Sequence, residues 1–231
     1  MADDSPVTTP VVGTLAQLQA LGINDGVGDI YAALMSTEDT GTSAPAYGTP
    51  DLIAEAVDFS LTPNYAETTK SASNRTIRKL KRLTTIDFSA TIPRITPAMR
   101  QRYFGRVVDA NGGELVSDTL APLCAIGVCI TRDDDTKFMV WLLKARLNEG
   151  ALSAKTREDG TIEYQDQTIE ASGVKLSYMW TDSDTNEHSV VMYAADTADE
   201  NCDWTESTFF AAVRAPWSTV PSAQSGNGGG G

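Results

Sequence analysis

Two stretches of this chain alternate apolar and polar side chains with a period of two. That period belongs to strands and not to helices. In Leu52–Thr62, Ile53, Val57, Phe59 and Leu61 share one face with Glu55, and Ala54, Ala56, Asp58, Ser60 and Thr62 share the other. In Thr84–Ile92, Thr84, Ile86, Phe88, Ala90 and Ile92 oppose Thr85, Asp87, Ser89 and Thr91. Each stretch predicts a strand with one buried and one wet face. Gly28–Met35, Ala125–Thr131, Lys137–Leu147, Thr161–Ile169, Val174–Trp180 and Val190–Ala194 also read as strands. Arg132-Asp-Asp-Asp135 is the turn of a hairpin.

Helical signals are few. Thr96 is a capping hydroxyl and Pro97 suits the first helical position. Met99, Tyr103 and Phe104 give that helix an apolar side, and Gly105 ends it. Ser207–Val213 predicts a short terminal helix and Thr14–Leu21 another near the N-terminus. Seven or eight strands with one clear helix predict a mainly β protein, an antiparallel β-sandwich or barrel with a flanking α-helix. The divisions are an N-terminal arm (1–27), the sandwich (28–216) and a Ser/Gly-rich flexible tail (217–231).

Between the two alternating strands lies a basic excursion of about twenty residues, long for a hairpin connection. Pro63–Arg75 reads as polar and irregular. From Lys70 to Arg106 there are ten Lys/Arg and one acid, Asp87, a net of +9. The rest of the chain holds eight Lys/Arg and thirty Asp/Glu, a net of −22, within a total of −13. A cationic segment on an anionic body suits contact between unlike surfaces of identical copies. Such heterologous contacts build rings or filaments. Arg78-Lys79-Leu80-Lys81-Arg82 is dense, but no aromatics interleave with it as a base-stacking platform requires. An overall pI near 4.4 disfavours general nucleic-acid binding.

The search for chemistry predicts no catalytic, cofactor or metal site. His188 is the only histidine and reads as a solvated turn residue. No Gly-x-Ser-x-Gly elbow accompanies it. Cys124 and Cys129 lie five apart in a predicted strand, on opposite faces. With Cys202 they form no disulfide framework. Asp182-Ser-Asp184-Thr-Asn186 begins like a calcium loop. Glu187 then stands at the glycine position and Tyr193 at that of the bidentate acid, so a polar turn is expected. No run approaches the ~18 apolar residues of a membrane span. The acidic start Met1-Ala2-Asp3-Asp4 lacks a secretory layout, which predicts a product kept in the cytosol.

The order of elements resembles a known family over Gly28–Pro216. The resemblance is carried by Tyr47-Gly-Thr-Pro50, by Phe59-Ser-Leu-Thr-Pro63 and by Thr84-Thr-Ile-Asp-Phe-Ser-Ala90. It continues through the helix Thr96–Gly105, Ala125-Ile-Gly-Val and Trp141-Leu-Leu-Lys-Ala-Arg-Leu147. Thr156-Arg-Glu-Asp, Ile162-Glu-Tyr-Gln165 and Phe209–Val213 before Pro216 complete it. Together they resemble the major tail protein, the tail-tube subunit, of long-tailed, siphovirus-type bacteriophages.

The resemblance implies six copies pooling strands into a ring barrel, with rings stacked into a tube for DNA ejection. It implies the virion tail as location, after assembly in the host cytoplasm. The implied partners are the chain itself, tape-measure, tail-terminator and baseplate proteins, and double-stranded DNA passing without specific binding. No cofactor, enzyme activity or membrane is implied. By position, Lys70, Arg75, Ile77, Arg78, Lys79, Leu80, Lys81, Arg82 and Leu83 form the arm that reaches a neighbouring copy. Asp58 and Asp87, on polar strand faces, are the expected lumen acids. The rival readings are a tail-terminator or related tube component and a carbohydrate-binding sandwich. The scattered Trp141, Trp180, Trp204 and Trp217 disfavour the latter.

Overall fold

The computed structural model describes residues 24–72, 75–151 and 166–219; residues 69–72 and 75–78 are described by backbone alone. The expected Thr14–Leu21 helix and the Ser222–Gly231 tail lie outside the described residues.

The first half of the chain forms β1 (Asn24–Thr37), β2 (Ala46–Tyr47), β3 (Asp51–Glu55), β4 (Asp58–Ala72), β5 (Arg75–Ile92) and helix α1 (Pro97–Tyr103). A small hairpin follows, β6 (Val107–Val108) and β7 (Glu114–Leu115). Then come β8 (Cys124–Arg132), β9 (Lys137–Ala145), β10 (Leu147–Glu149) and β11 (Gln167–Val174). The last elements are β12 (Met179–Thr181), β13 (Glu187–Ser189), β14 (Met192–Asp196) and helix α2 (Glu206–Phe210). β1 starts at Asn24, inside the predicted arm. Val174–Trp180 is not one strand, because β11 ends at Val174 and β12 starts only at Met179.

The protein is mainly β, with antiparallel sheets curled into a half-barrel. One sheet has six strands in the order β14-β9-β8-β1-β2, with β3 also on β1. The other has four, in the order β10-β11-β5-β4. β9 runs almost without a break into β10, so one stretch of chain serves both sheets. The sheets meet closely here. A Cβ on Gly173 of β11 would sit 2.4 Å from Leu142 Cδ1 of β9, so only glycine fits.

One core lies between the sheets. It takes Ile30 and Ala32 from β1, Ile126 and Val128 from β8, Val140 and Leu142 from β9, Phe88, Ala90 and Ile92 from β5, and Ile169 from β11. A second cluster covers the other face of the six-stranded sheet. There Ala125, Cys129, Met139, Trp141 and Leu143 pack under Trp204, Phe209 and Phe210. Trp141 Nε1 donates to the Phe209 carbonyl at 3.2 Å. Burial on both faces explains why β8 and β9 are continuous apolar runs rather than alternating ones. Trp217 packs edge-on against Tyr178 at 5.1 Å. Three of the four tryptophans therefore belong to this cluster and are not scattered, and residue 217 belongs to the fold rather than to a tail.

The alternation in Leu52–Thr62 spans two strands. β3 pairs with β1, β4 pairs with β5, and the chain bends between them at Ala56–Val57. Ile53 is buried and Phe59 and Leu61 pack on the core, but Val57 at the bend is exposed. The α1 signals act as expected: Thr96 Oγ1 accepts from the Met99 amide at 3.3 Å. Gly105 takes φ +69°, a left-handed conformation that ends the helix.

Candidate functional site

The four-stranded sheet has a core face and a bare face. On the bare face, the register aligns Asp58, Ser60, Thr62 and Asn64 of β4 with Thr91, Ser89, Asp87 and Thr85 of β5. Thr168, Glu170 and Ser172 of β11 continue the rows, and Asn148 of β10 completes them. Side-chain alternation forces this split, since the same strands send Phe88, Ala90, Ile92 and Ile169 inward. The result is a surface of hydroxyls and amides carrying three exposed carboxylates, Asp58, Asp87 and Glu170, with no Lys or Arg among these positions.

Asp87 sits at the centre of this surface. It accepts from Ser172 Oγ at 2.7 Å and Asn64 Nδ2 at 2.7 Å. Those two hydrogen bonds favour the carboxylate and hold its pKa below the ordinary value. Both expected lumen acids thus share one sheet face. Glu170 was missed because the strand was expected to end at Ile169; the alternation Thr168, Glu170, Ser172 against Ile169, Ala171, Gly173 carried the signal.

Beyond Thr85, β5 loses β11 as a neighbour, because the last β11 pair is Val174 with Thr85. From there a two-stranded ribbon projects, pairing Tyr65 with Leu83 and ending at Ala72 with Arg75. The excursion is therefore a paired ribbon, with register shifts at Asn64/Tyr65 and Lys70/Ser71, and not the unpaired stretch its polarity suggests. Pro63 is tolerated because β4 is an edge strand and needs no partner on its outer side. Lys70, Arg75, Ile77 and Arg78 lie on the backbone of this ribbon. Lys79, Leu80, Lys81 and Arg82 are exposed and Leu83 is half-buried against the core. Residues 63–83 carry six Lys/Arg and one acid, Glu67.

The two ribbon faces differ. On one, Glu67 holds Lys79 at 2.7 Å and Lys81 at 2.8 Å. The two ammonium donors keep the Glu67 carboxyl below its ordinary pKa. On the other, Thr68 opposes Leu80 and Ala66 opposes Arg82. Arg82 has no ion-pair partner among the described residues.

The basic stretch is not one patch. On and beside α1, Arg100 and Arg106 both bind Glu149, each at 2.6 Å, and Arg102 binds Asp51 at 2.7 Å. Tyr103 also donates to Asp51 and reaches the Ala32 carbonyl. These arginines fasten α1 to the sheets; within the basic stretch, Arg82 of the hairpin and the exposed Arg94 keep no ion pair among the described residues.

Elsewhere, His188 is exposed beside Asp182, at 2.8 Å. That contact and the backbone amides of Asn186 and Asp184 bring the Asp182 pKa down to about 2. The turn closes on itself, with Thr185 at φ 66°. Burial pushes the Cys124 thiol up to about 12 and Cys129 to about 11. The two cysteines lie on opposite faces of β8, in different core clusters. No group of three His, Cys, Asp or Glu among the described residues is placed to hold a metal. No helix among them is long and apolar enough to cross a membrane.

No protein-family profile matches this chain, and no curated protein matches it in sequence.

Proposed function

We propose that this chain is a tail-tube subunit of a long-tailed, siphovirus-type bacteriophage, a structural protein without catalytic function. Six copies close into a ring, rings stack into a hollow tube, and duplex DNA leaves through the bore. The four-stranded sheet carries the reading: it has a bare acidic face, and β4, fifteen residues long, has no strand on its outer side among the described residues. A long open edge is a template for pairing with another chain. Closing six such sheets edge to edge removes every such edge. Twenty-four strands at a spacing of about 4.8 Å and a tilt of about 40° give a circumference of about 150 Å and a diameter of about 48 Å before side chains.

In that ring the bare face turns inward. The β8 and β9 centre of the six-stranded sheet is covered on both sides, by the core and by the Trp141–Phe210 cluster, and offers no polar face among the described residues. Asp58, Asp87 and Glu170 from each copy make the wall anionic. An anionic wall repels phosphates and lets the duplex slide without counterion release. Tape-measure, tail-terminator and baseplate proteins are the expected partners at the bore and the two tube ends.

Sedimentation velocity across concentrations tests the reading. It predicts growth from subunit to hexamer and larger species without nucleotide or metal. A single monomeric species at every concentration contradicts it.

A further inference from the structure

We propose that β3 of one copy pairs with β14 of the next, so that the ring is closed in its outer layer as well as at the bore. The inference rests on the tube reading and deepens it, because it names a second contact between neighbours within a ring.

Topology supplies the first argument. The six-stranded sheet ends in β14 on one side and in β2 and β3 on the other. β3 pairs only with β1, and β14 only with β9. Leu52–Glu55 and Met192–Ala195 make no backbone hydrogen bond outside the sheet among the described residues. Two free edges of five residues each remain, and a free edge is a template for another strand. β3 passes into β4 through the bend at Ala56–Val57, so the side of the subunit that offers β4 also offers β3. β9 passes into β10, and β14 lies on the flank of β9, so the side that offers β10 also offers β14. When β4 of one copy meets β10 of the next, β3 therefore faces β14. Every pairing from β14 through β9, β8 and β1 to β3 is antiparallel. β14 and β3 thus run the same way, and the new pair is parallel.

Shape and chemistry supply the second. A hollow of about 360 Å³ lies beside β14, lined in succession by Tyr193, Ala194, Ala195 and Asp196. Consecutive residues of a strand point to opposite faces, so what these four present in common is the strand edge. Cys202 and Trp204 stand across the hollow from it. The β3 side carries Leu52, 57% exposed, and Val57, 51% exposed. Leu52 opposes Tyr31, whose ring stacks on Phe210, and the Tyr193 ring stacks on Phe209. Leu52 and Tyr193 therefore belong to the same face of the six-stranded sheet. In the pair, Leu52 comes against Tyr193 and the Trp204 wall. Glu55 approaches the far end of β14, where Arg132 balances Asp196 at 2.7 Å. Backbone hydrogen bonds along the edge supply affinity, and the aromatic wall around Leu52 supplies register.

Two variants test it. Leu52→Cys places a thiol beside the native Cys202 of the neighbour, while Cys124 and Cys129 stay buried. Assembled and oxidised with diamide, it should give disulfide-linked species that stop at the hexamer, and Cys202→Ser in the same chain should remove them. Leu52→Lys puts an unpaired charge into the contact without touching the subunit core. Its circular dichroism should stay that of the wild type, and the concentration needed for rings should rise about tenfold or more. Rings without a Cys202-dependent link, or Leu52→Lys rings at the wild-type concentration, overturn the pairing and leave the tube reading standing. Links that run past six copies place the contact between rings and also overturn it. If the wild type forms neither rings nor tubes, the tube reading falls and the pairing with it.

Discussion

Asp39→Ala should be among the most damaging single substitutions in this protein. Asp39 is fully buried and accepts from Lys144 Nζ at 2.8 Å, from the Tyr178 amide at 3.2 Å and from the Ser177 amide. Lys144, itself nearly buried, holds Glu38 at 2.7 Å as well, but Glu38 is mostly exposed. This cluster pins the loop after β1 to β9 and to the segment between β11 and β12. Burial alone would raise the Asp39 pKa, and the bonds from Lys144, Ser177 and Tyr178 outweigh it, so the carboxyl titrates below its ordinary value. Burial would lower the Lys144 pKa, and its two carboxylate partners carry it above the ordinary value. Removing one member of such a pair leaves an uncompensated charge at a cost of about 3–5 kcal/mol. That is a fifth or more of a typical domain stability of about 5–15 kcal/mol.

Urea unfolding followed by tryptophan fluorescence would measure the loss. The depressed Asp39 pKa makes its contribution complete above the ordinary carboxylate value and lost as pH falls through the native value. The raised Lys144 pKa makes its contribution complete below the ordinary lysine value and lost as pH rises through the native one. The gap between wild type and variant should therefore be widest near neutrality and shrink in acid. A gap under about 1 kcal/mol at pH 7, small against the cost of an unpaired buried charge, would refute the reasoning.

Other substitutions probe separate parts of the fold. Gly173→Ala pushes a methyl into Leu142 where the sheets meet, and should cost about 1–3 kcal/mol by thermal melting; an unchanged melt would mean the sheets separate easily there. Trp141→Ala empties the cluster under α2 and should cost about 3–5 kcal/mol in the same denaturation assay. Replacing Arg78, Lys79, Lys81 and Arg82 together by Glu should leave the circular dichroism unchanged and abolish stacking in micrographs. Tubes of normal length from that variant would show that the hairpin does not join rings. Assembled wild-type tubes should not shift duplex DNA in gels at low salt, and tight binding would contradict an acidic bore.

Much of the fold is legible where one physical signal dominates. Thr84–Ile92 alternates because one face is core and the other wet, and β5 follows that pattern to Ile92. Thr96 and Pro97 start α1 because capping chemistry is local. The hairpin was hidden because Pro63–Ala72 has almost no apolar residues, and backbone pairing with β5 leaves no compositional trace. The break at Ala56–Val57 was hidden because period two persists through a bend while the strand changes partners. Pairings across long separations were illegible for a plainer reason. Nothing near Arg100 or Arg106 announces Glu149, and Asp39 and Lys144 lie 105 positions apart. The charge segregation was legible in total, but not that Arg100, Arg102 and Arg106 are held in ion pairs within the fold.

A cryo-electron reconstruction of the purified, assembled protein tests the central claim most directly. The account predicts stacked six-fold rings whose inner wall is the β10-β11-β5-β4 sheet, with Asp58, Asp87 and Glu170 pointing into the bore. A wall built from the six-stranded sheet, or a specimen that stays monomeric at high concentration, would contradict it.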